Sequence, residues 1–533
     1  MNRPSSRTLS ALLAEQAERL PGAAAVLSGE RVATYRDLAT AVARVAGGMK
    51  AHGVGRGDRV GILMENRIEW LEAAFGAAAL GAVAVPLSTW SKPAELAFLF
   101  ADAGLSLLLA VGGFGGQDFA AAVDALVPEA RSAPPGAWRS QRFPKLRAIV
   151  ALDTAPRSGW IGYDALASAP PLASGDGASA ADDCFILYTS GSSARPKAVR
   201  LRHGALIENG FDIGERMALS VADRVLLAPP LFWSYGAANA LPGTLTHGAA
   251  LVLQPRFEPG EWLDLIERER CTAVYTLPSM TGAALRHPGF RRERVASLRT
   301  GLMIGSPQEV RLAAEELGAA RICNIYGATE TYGNCCVTPA DWPLERRMQS
   351  QGPPLPGMKL RIVDPEIGRV LPSGETGLVE IGGSITPGYA GASAELNLSA
   401  FAADGFFRTG DLGFVDAAGD FHFAARDNDM IKRAGINVSP AEVESLLLQH
   451  PGVAQAAVVG APAGERGEAI VAFVVAADGA RLDGEALRAH CRGLASNYKV
   501  PDHVELCAAL PVTETGKLFR RGLKERAPAL IRG

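Results

Sequence analysis

Four polar segments carry side chains suited to phosphate, base, ribose and carboxylate chemistry. The first, residues 188–198 (YTSGSSARPKA), strings the hydroxyls of Thr189, Ser190, Ser192 and Ser193 and the amide of Gly191 ahead of Lys197. Consecutive hydroxyls and glycine amides on a loop can cradle an anion, and the lysine adds positive charge. The spacing is not that of a P-loop, because G-x-x-x-x-G-K-S/T is absent. The second, residues 324–331 (NIYGATET), offers Tyr326 to stack on a base, Asn324 to read its edge and Glu330 to hold a divalent cation beside phosphate oxygens. The third pairs Asp411, in FRTGD, with Arg426: a carboxylate that can accept both hydroxyls of a ribose and a guanidinium to support it. The fourth, PVTETGK, presents Lys517 on a turn fixed by Pro511 and Gly516. Taken singly, the first reads more readily as an ordinary polar turn and the fourth as a solvated lysine, the second divides evenly between a packed tyrosine and a site, and the third can be a surface ion pair.

The elements that must position them alternate. RVLLAPPLF, AALVLQ, TAVYTLP, TGLMIG and RICNIYG are short apolar runs of strand type, interleaved with helical patterns such as GEWLDLIERER and PQEVRLAAEELG. Strand–helix alternation predicts a parallel sheet with helices on its faces. The earlier chain (YRDLATAVARVAGGMKAHG, RVGILM, EWLEAAFGAAALG) predicts a second α/β unit. After about residue 350, turn-punctuated strands predict a β-rich segment. Ser439, Pro440 and Glu442 then read as a capping box opening a helix, within a small α+β unit. The polar joint at 426–429 is the expected boundary, giving domains at 1–427 and 428–533.

Composition narrows the class. The chain has 533 residues, 48% hydrophobic and 20% charged, with net charge −3, so a global basic footprint for nucleic acid is absent. Seven cysteines are too few for a disulfide framework, and the eight histidines lack zinc-site spacing. The apolar run at 73–86 is too short to span a bilayer and predicts a buried helix and strand. A reduced cytoplasmic protein is the expectation. Lysine occurs nine times against 44 arginines, and Lys197, Lys432 and Lys517 fall in the polar segments.

Together, in order and spacing, these segments resemble the core motifs of the acyl-adenylate-forming (ANL) superfamily, over roughly residues 8–525. The branch it resembles is that of AMP-forming acyl- or aryl-CoA synthetases. FWSYG at 232–236 is loosely similar to the corresponding stretch of benzoate–CoA ligases. The resemblance implies an α/β fold: a large N-terminal domain of two α/β subdomains plus a β-barrel-like unit, and a small mobile α+β C-terminal domain. It implies ATP, Mg²⁺ and CoA as cofactors and cosubstrates. It also implies a two-step reaction, carboxylate plus ATP giving acyl-AMP and pyrophosphate, then displacement of AMP by a thiol.

Residue by residue, the resemblance assigns Thr189, Ser190, Gly191, Ser192, Ser193 and Lys197 to the phosphates and Thr329 to the α-phosphate. It assigns Glu330 to Mg²⁺, Asn324, Tyr326, Gly327 and Gly305 to the adenine side, and Asp411 and Arg426 to the ribose. Lys517 would bridge carboxylate and α-phosphate. Trp233, Ser234, Tyr235, Met303, Ile304, Gly305, Gly327, Gly333 and Asn334 would line the acyl pocket, with Asn334 or Tyr332 reading a polar substituent. Asn428 falls at the hinge, and Trp233, Lys432 and Gly435 at the thiol tunnel. Tyr235 stands where amino-acid-activating relatives carry Asp, which disfavours an α-amino acid. An aromatic, alicyclic or medium-chain acid is expected, in a monomer or homodimer. The phosphate loop departs from the usual S-G-T-T-G-x-P-K-G at Ala194 and Ala198, and alanine is strained wherever φ is positive. Two other readings stay open: loading of a carrier protein in trans, and a degenerate nucleotide-binding paralogue without turnover.

Overall fold

The computed structural model describes residues 3–155, 157–173, 177–189, 196–391, 394–426, 429–433, 436–463, 468–495, 499–513 and 518–531, with backbone alone at 394–396, 426, 432, 436 and 437. Backbone contacts divide the chain into two compact units. One comprises 1–305, 309–359 and 381–407; the other comprises 306–308, 360–380 and 408–533.

The first unit is built on two eight-stranded sheets. One sheet orders its strands as Cys336–Val337, Arg321–Tyr326, Thr300–Met303, Ala273–Tyr275, Arg224–Leu227, Ala250–Leu253, Ala24–Ser28 and Arg31–Thr34. Its six interior strands are mutually parallel. The five runs anticipated between 224 and 326 are all strands here, and the two helical patterns form Pro259–Glu269 and Pro307–Glu315. These strands are buried almost throughout because helices cover the faces of a parallel sheet. The second sheet orders Tyr389–Ala390, Lys197–Arg202, Asp183–Thr189, Val83–Pro86, Arg59–Leu63, Leu107–Val111, Ala148–Leu152 and Ile161–Gly162. The apolar run at 73–86 becomes the end of helix Ile68–Ala79, all of whose residues are buried, a turn through Gly81 at φ +67°, and strand Val83–Pro86.

The β-rich segment is a four-stranded sheet ordered Met358–Val363, Gly377–Gly383, Phe407–Val415 and Phe421–Arg426. Beyond it, Val453–Pro462, Glu468–Ala476 and His503–Cys507 form a three-stranded sheet. Val458, Ile470, Ala472 and Val474 pack with Val443 and Leu447 of helix Pro440–Leu448 and with Leu487 of helix Gly484–Leu494. Val459, Val471 and Phe473 pack with Leu523 and Ala527 of helix Arg520–Ile531. The architecture is thus mixed α/β, a large N-terminal domain followed by a small α+β C-terminal one. No helix among the described residues is long and apolar enough to cross a membrane.

The capping box at 439–442 does not form. Ser439 occupies the N-cap with Pro440 behind it, but its hydroxyl donates to the Ala424 carbonyl at 2.7 Å rather than accepting from the helix. Glu442 pairs with Lys499 instead. A tertiary acceptor within reach has displaced the local cap.

Candidate active site

The strands Thr300–Met303 and Arg321–Tyr326 run parallel and in register, Met303 opposite Asn324. Their carboxyl ends therefore deliver 304–305 and 327–334 to one edge, the place where open α/β sheets bind ligands. Asn324 and Tyr326 share a face by strand alternation. Tyr326 is 8% exposed. The Asn324 side chain is committed to backbone: its amide nitrogen donates to Ser350 O at 3.2 Å and Gly305 O at 3.4 Å, and its oxygen accepts from Ile325 N at 3.1 Å. It thereby ties the 305 turn to the 324–326 strand.

After Gly327 the chain makes a tight turn, Thr329–Thr331, with Ala328 N donating to Thr331 Oγ1 at 3.0 Å. Tyr332 and Gly333 follow at φ +56° and +91°. The turn sends Thr329 toward the segment from strand Arg224–Leu227, so that Thr329 Oγ1 lies 3.1 Å from Ser234 Oγ. Two motifs separated by nearly a hundred residues meet at that hydrogen bond. Glu330 is buried and accepts from the Tyr389 hydroxyl at 2.8 Å. The ring of Tyr389 in turn lies 5.3 Å from Lys197 Nζ. Lys197 opens strand Lys197–Arg202 and pairs across the hairpin with Thr189. Ser190, Gly191, Ser192, Ser193 and Ala194 lie outside the described residues. Ala198 is 2% exposed, in register with Tyr188 on one side and Ala390 on the other, and its φ is not positive. The alanine substitution is therefore unstrained at this position.

The segment 229–236 is braced by a residue that sequence reasoning missed. Asn66, 1% exposed, donates to Pro229 O at 3.0 Å and Gln254 O at 3.1 Å and accepts from Leu231 N at 2.7 Å. A second omission is Trp90, whose ring meets Phe232 edge-on at 5.1 Å and Trp233 at 5.2 Å. Its only sequence signal was its place just after the buried strand Val83–Pro86. Tyr235 begins a π-helical turn, Tyr235–Ala240, a distortion frequent at functional sites. Its hydroxyl donates to Leu302 O at 2.7 Å and lies 3.2 Å from Thr276 O, so its polar end is spent on the sheet. Burial pushes this phenol far above its ordinary pKa.

Met303 is fully buried and Ile304 is 51% exposed. Tyr332 is fully buried, and its oxygen accepts from Arg202 N at 3.1 Å. Asn334 is 1% exposed; its carbonyl accepts from Asn209 Nδ2 at 2.9 Å, and its own Nδ2 has no hydrogen-bond partner among the described residues.

In the second unit, Asp411 is 4% exposed and stands directly across the antiparallel pair from Arg426. Its amide donates to Thr409 Oγ1 at 3.0 Å. The side chains of Arg426 and Lys432, and Asn428, Gly435 and Lys517 altogether, lie outside the described residues.

Among the described residues no group of three or more His, Cys, Asp or Glu could hold a metal. One buried carboxylate, Glu330, beside hydroxyls fits a cation that arrives with nucleotide phosphates, as Mg²⁺ does.

Residues 13–390 match the family described as AMP-binding enzyme, and 442–517 match the AMP-binding enzyme C-terminal domain. The chain is 35% identical over 517 residues to a feruloyl-CoA synthase of Amycolatopsis sp, covering 96% of this chain and 97% of that one. Among solved structures, the anthranilate CoA ligase AuaEII in complex with anthranoyl-AMP superposes with a TM-score of 0.86 at 27% identity, covering 99% and 98% of the two chains. ATP-bound MatB from Rhodopseudomonas palustris gives 0.83 at 27% identity, covering 98% and 99%.

Proposed function

The chain belongs to the AMP-binding enzyme family, and from that premise we propose that it is an acid–thiol ligase that makes acyl-CoA through acyl-AMP. A carboxylate is a poor electrophile. Its attack on the α-phosphorus of ATP expels pyrophosphate and leaves a mixed anhydride. The CoA thiol then attacks the acyl carbon and AMP departs. The protein's share of such phosphoryl chemistry is positioning and charge stabilisation.

The observation that carries the reading is the contact between Thr329 and Ser234, with Glu330 buried beside it. A hydroxyl–carboxylate pair suited to a nucleotide's phosphates abuts the segment that carries Phe232 and Trp233, whose rings would face the acid. Thr329 would hold the α-phosphate, and Glu330 the Mg²⁺ that enters with ATP. Lys197 and the 189–193 loop would hold the outer phosphates, Tyr326 would stack on adenine, and Asp411 and Arg426 would take the ribose. Lys517 would stabilise the charge shared by carboxylate and α-phosphate, and removing such a group costs roughly 10²–10³ in rate. Residues 428–533, all within the second unit, would act as a lid hinged at Asn428 and bring Lys432 and Gly435 to the thiol path.

For the acid, we favour an aromatic one from within the aromatic, alicyclic and medium-chain classes. Trp90, Phe232 and Trp233 supply flat apolar surface. Tyr235 brings no charge for an ammonium. The unpartnered Asn334 amide favours a ring with a hydrogen-bond acceptor, since a buried donor without a partner costs about 1–3 kcal/mol. The similar feruloyl-CoA synthase and anthranilate CoA ligase support the same class.

Acid-dependent exchange of pyrophosphate into ATP over a panel of acids tests the proposal. Exchange with an aryl acid, followed by AMP release that requires CoA, is expected. Exchange followed by transfer only to a carrier protein would favour the carrier-loading alternative, and tight ATP binding without exchange would favour the degenerate one.

A further inference from the structure

Residues 386–390 belong to none of the four motifs, yet they clamp two of them together. Thr386 N donates to the Glu330 carbonyl at 2.8 Å. Thr386 Oγ1 donates to Arg200 O at 2.7 Å and accepts from Gly388 N at 3.1 Å. Tyr389 then pairs in register with Val199, and Ala390 with Ala198, so this short strand is the outer neighbour of the phosphate hairpin. Tyr389 N donates to Asn397 Oδ1 at 3.1 Å, which fixes the tyrosine's backbone from outside.

The side chain so placed is 5% exposed and has two ends at work. Its hydroxyl donates to Glu330 Oε1 at 2.8 Å, and the face of its ring lies 5.3 Å from Lys197 Nζ. We propose that Tyr389 is a positioning residue for nucleotide binding: its hydroxyl orients the Glu330 carboxylate for Mg²⁺, and its ring holds the Lys197 ammonium beside the phosphates. The inference rests on the function proposed above.

The physical case has two independent parts. Mg²⁺ demands near-ideal octahedral geometry and has little tolerance for a swinging ligand. A carboxylate with one oxygen held by a hydrogen bond keeps the plane of the other fixed, and such outer partners of a metal ligand matter to metal affinity. Lys197 stands on a flexible four-carbon stem, and the negative face of an aromatic ring attracts its ammonium. A phenylalanine keeps the second function and loses the first, whereas a leucine loses both.

The measurement is the affinity for ATP by calorimetry, once with Mg²⁺ and once with excess EDTA, and their ratio. Y389F is expected to lower the Mg²⁺ advantage by roughly tenfold and to leave Mg²⁺-free affinity unchanged. Y389L is expected to weaken Mg²⁺-free binding as well, by about two- to fivefold. In an E330Q background, Y389F should have no further effect on the ratio. Thermal unfolding is followed in parallel. If Y389F does not fold, N397A, which releases the tyrosine's backbone instead, should still reduce the Mg²⁺ advantage. A wild-type Mg²⁺ advantage in folded Y389F overturns the proposal, as does an equal loss with and without Glu330 or an unaltered ratio in N397A. Wild-type protein that binds ATP under neither condition would overturn the function itself, a distinct result.

Discussion

Replacing Gly327 with alanine tests whether the turn at 327–331 and the loop at 332–335 are packed as one wall. A Cβ at 327 would stand 2.3 Å from Gly333 O, 2.5 Å from Asn334 Cα and 2.9 Å from Gly333 C. All three are backbone atoms, so no rotamer relieves the clash. Gly327 does not have positive φ, and space rather than torsion is the constraint. Ordinary contact begins near 3.4 Å, so the loop must retreat by roughly 1 Å. It is held where it is by Gly333 N to Ala328 O at 2.9 Å, Cys335 N to Tyr326 O at 2.9 Å, Asn209 Nδ2 to Asn334 O and Asn239 Nδ2 to Tyr332 O. Stretching two of these past bonding distance, at about 1 kcal/mol each, puts the destabilisation at about 2 kcal/mol. That figure agrees with the usual cost of overpacking, about 1–3 kcal/mol. Activity should suffer more, because a displacement of about 1 Å near the reacting atoms can cost on the order of 10²-fold. Urea unfolding reads the first number and pyrophosphate exchange with the preferred acid reads the second. Full exchange together with an unchanged unfolding midpoint would mean that turn and loop part freely, and the shared wall would be wrong.

Tyr235→Phe should cost about 1–2 kcal/mol in urea unfolding, from the lost bond to Leu302 O, while acid selectivity across a panel stays as in the wild type. Lys517→Ala should slow acyl-AMP formation by roughly 10²–10³ yet convert supplied acyl-AMP and CoA to thioester, and Lys517→Arg should be nearly as damaging, because a planar guanidinium does not replace a compact ammonium; the two half-reactions measured separately decide it. His203, fully buried with Nδ1 accepting from Leu9 N, is pushed down from 6.5 to about 4 by burial. The unfolded chain therefore binds the proton first, so the stability this neutral imidazole contributes is complete above pH about 6.5 and is lost as pH falls toward about 4, by up to about 3 kcal/mol. His203→Gln should flatten the unfolding midpoint over that window, and an unflattened profile would refute the assignment.

The elements around the site were legible where local pattern decides structure. The five strands between 224 and 326 come from short apolar runs buried on both faces of a parallel sheet, and apolar continuity reports such burial directly. Partners remote in sequence were not legible. Strand Ala24–Ser28 pairs with Ala250–Leu253, and no local signal records a pairing across more than two hundred residues. Asn66, Trp90 and Tyr389 reach the site for the same reason, each from a separate excursion of the chain. Asn324 and Ser439 show a second limit. Their types suit a ligand and a helix cap, but in each case a nearby main-chain carbonyl competes for the side chain, at Ser350 and at Ala424. Sequence lists what a polar side chain can bond to, whereas only the fold sets which partner is within reach.

The altered phosphate loop bears on whether this chain turns over at all. A glycine is indispensable only where the backbone needs positive φ or a Cβ has no room. Ala198 meets neither condition, since it lies in an extended hairpin stem with a strand on each side. A side chain there reduces the freedom of the stem rather than straining it. The stem also sets the position of Lys197 opposite Thr189, and the ring of Tyr389 meets that lysine on one side and its hydroxyl meets Glu330 on the other. A degenerate paralogue is suggested only by two lost glycines. One of those losses falls where glycine is not required, on a strand whose first residue and whose neighbour's tyrosine bring a cation and a carboxylate together. A site that had drifted out of use would have no reason to keep that pair oriented, and the arrangement favours an enzyme that still binds and activates ATP.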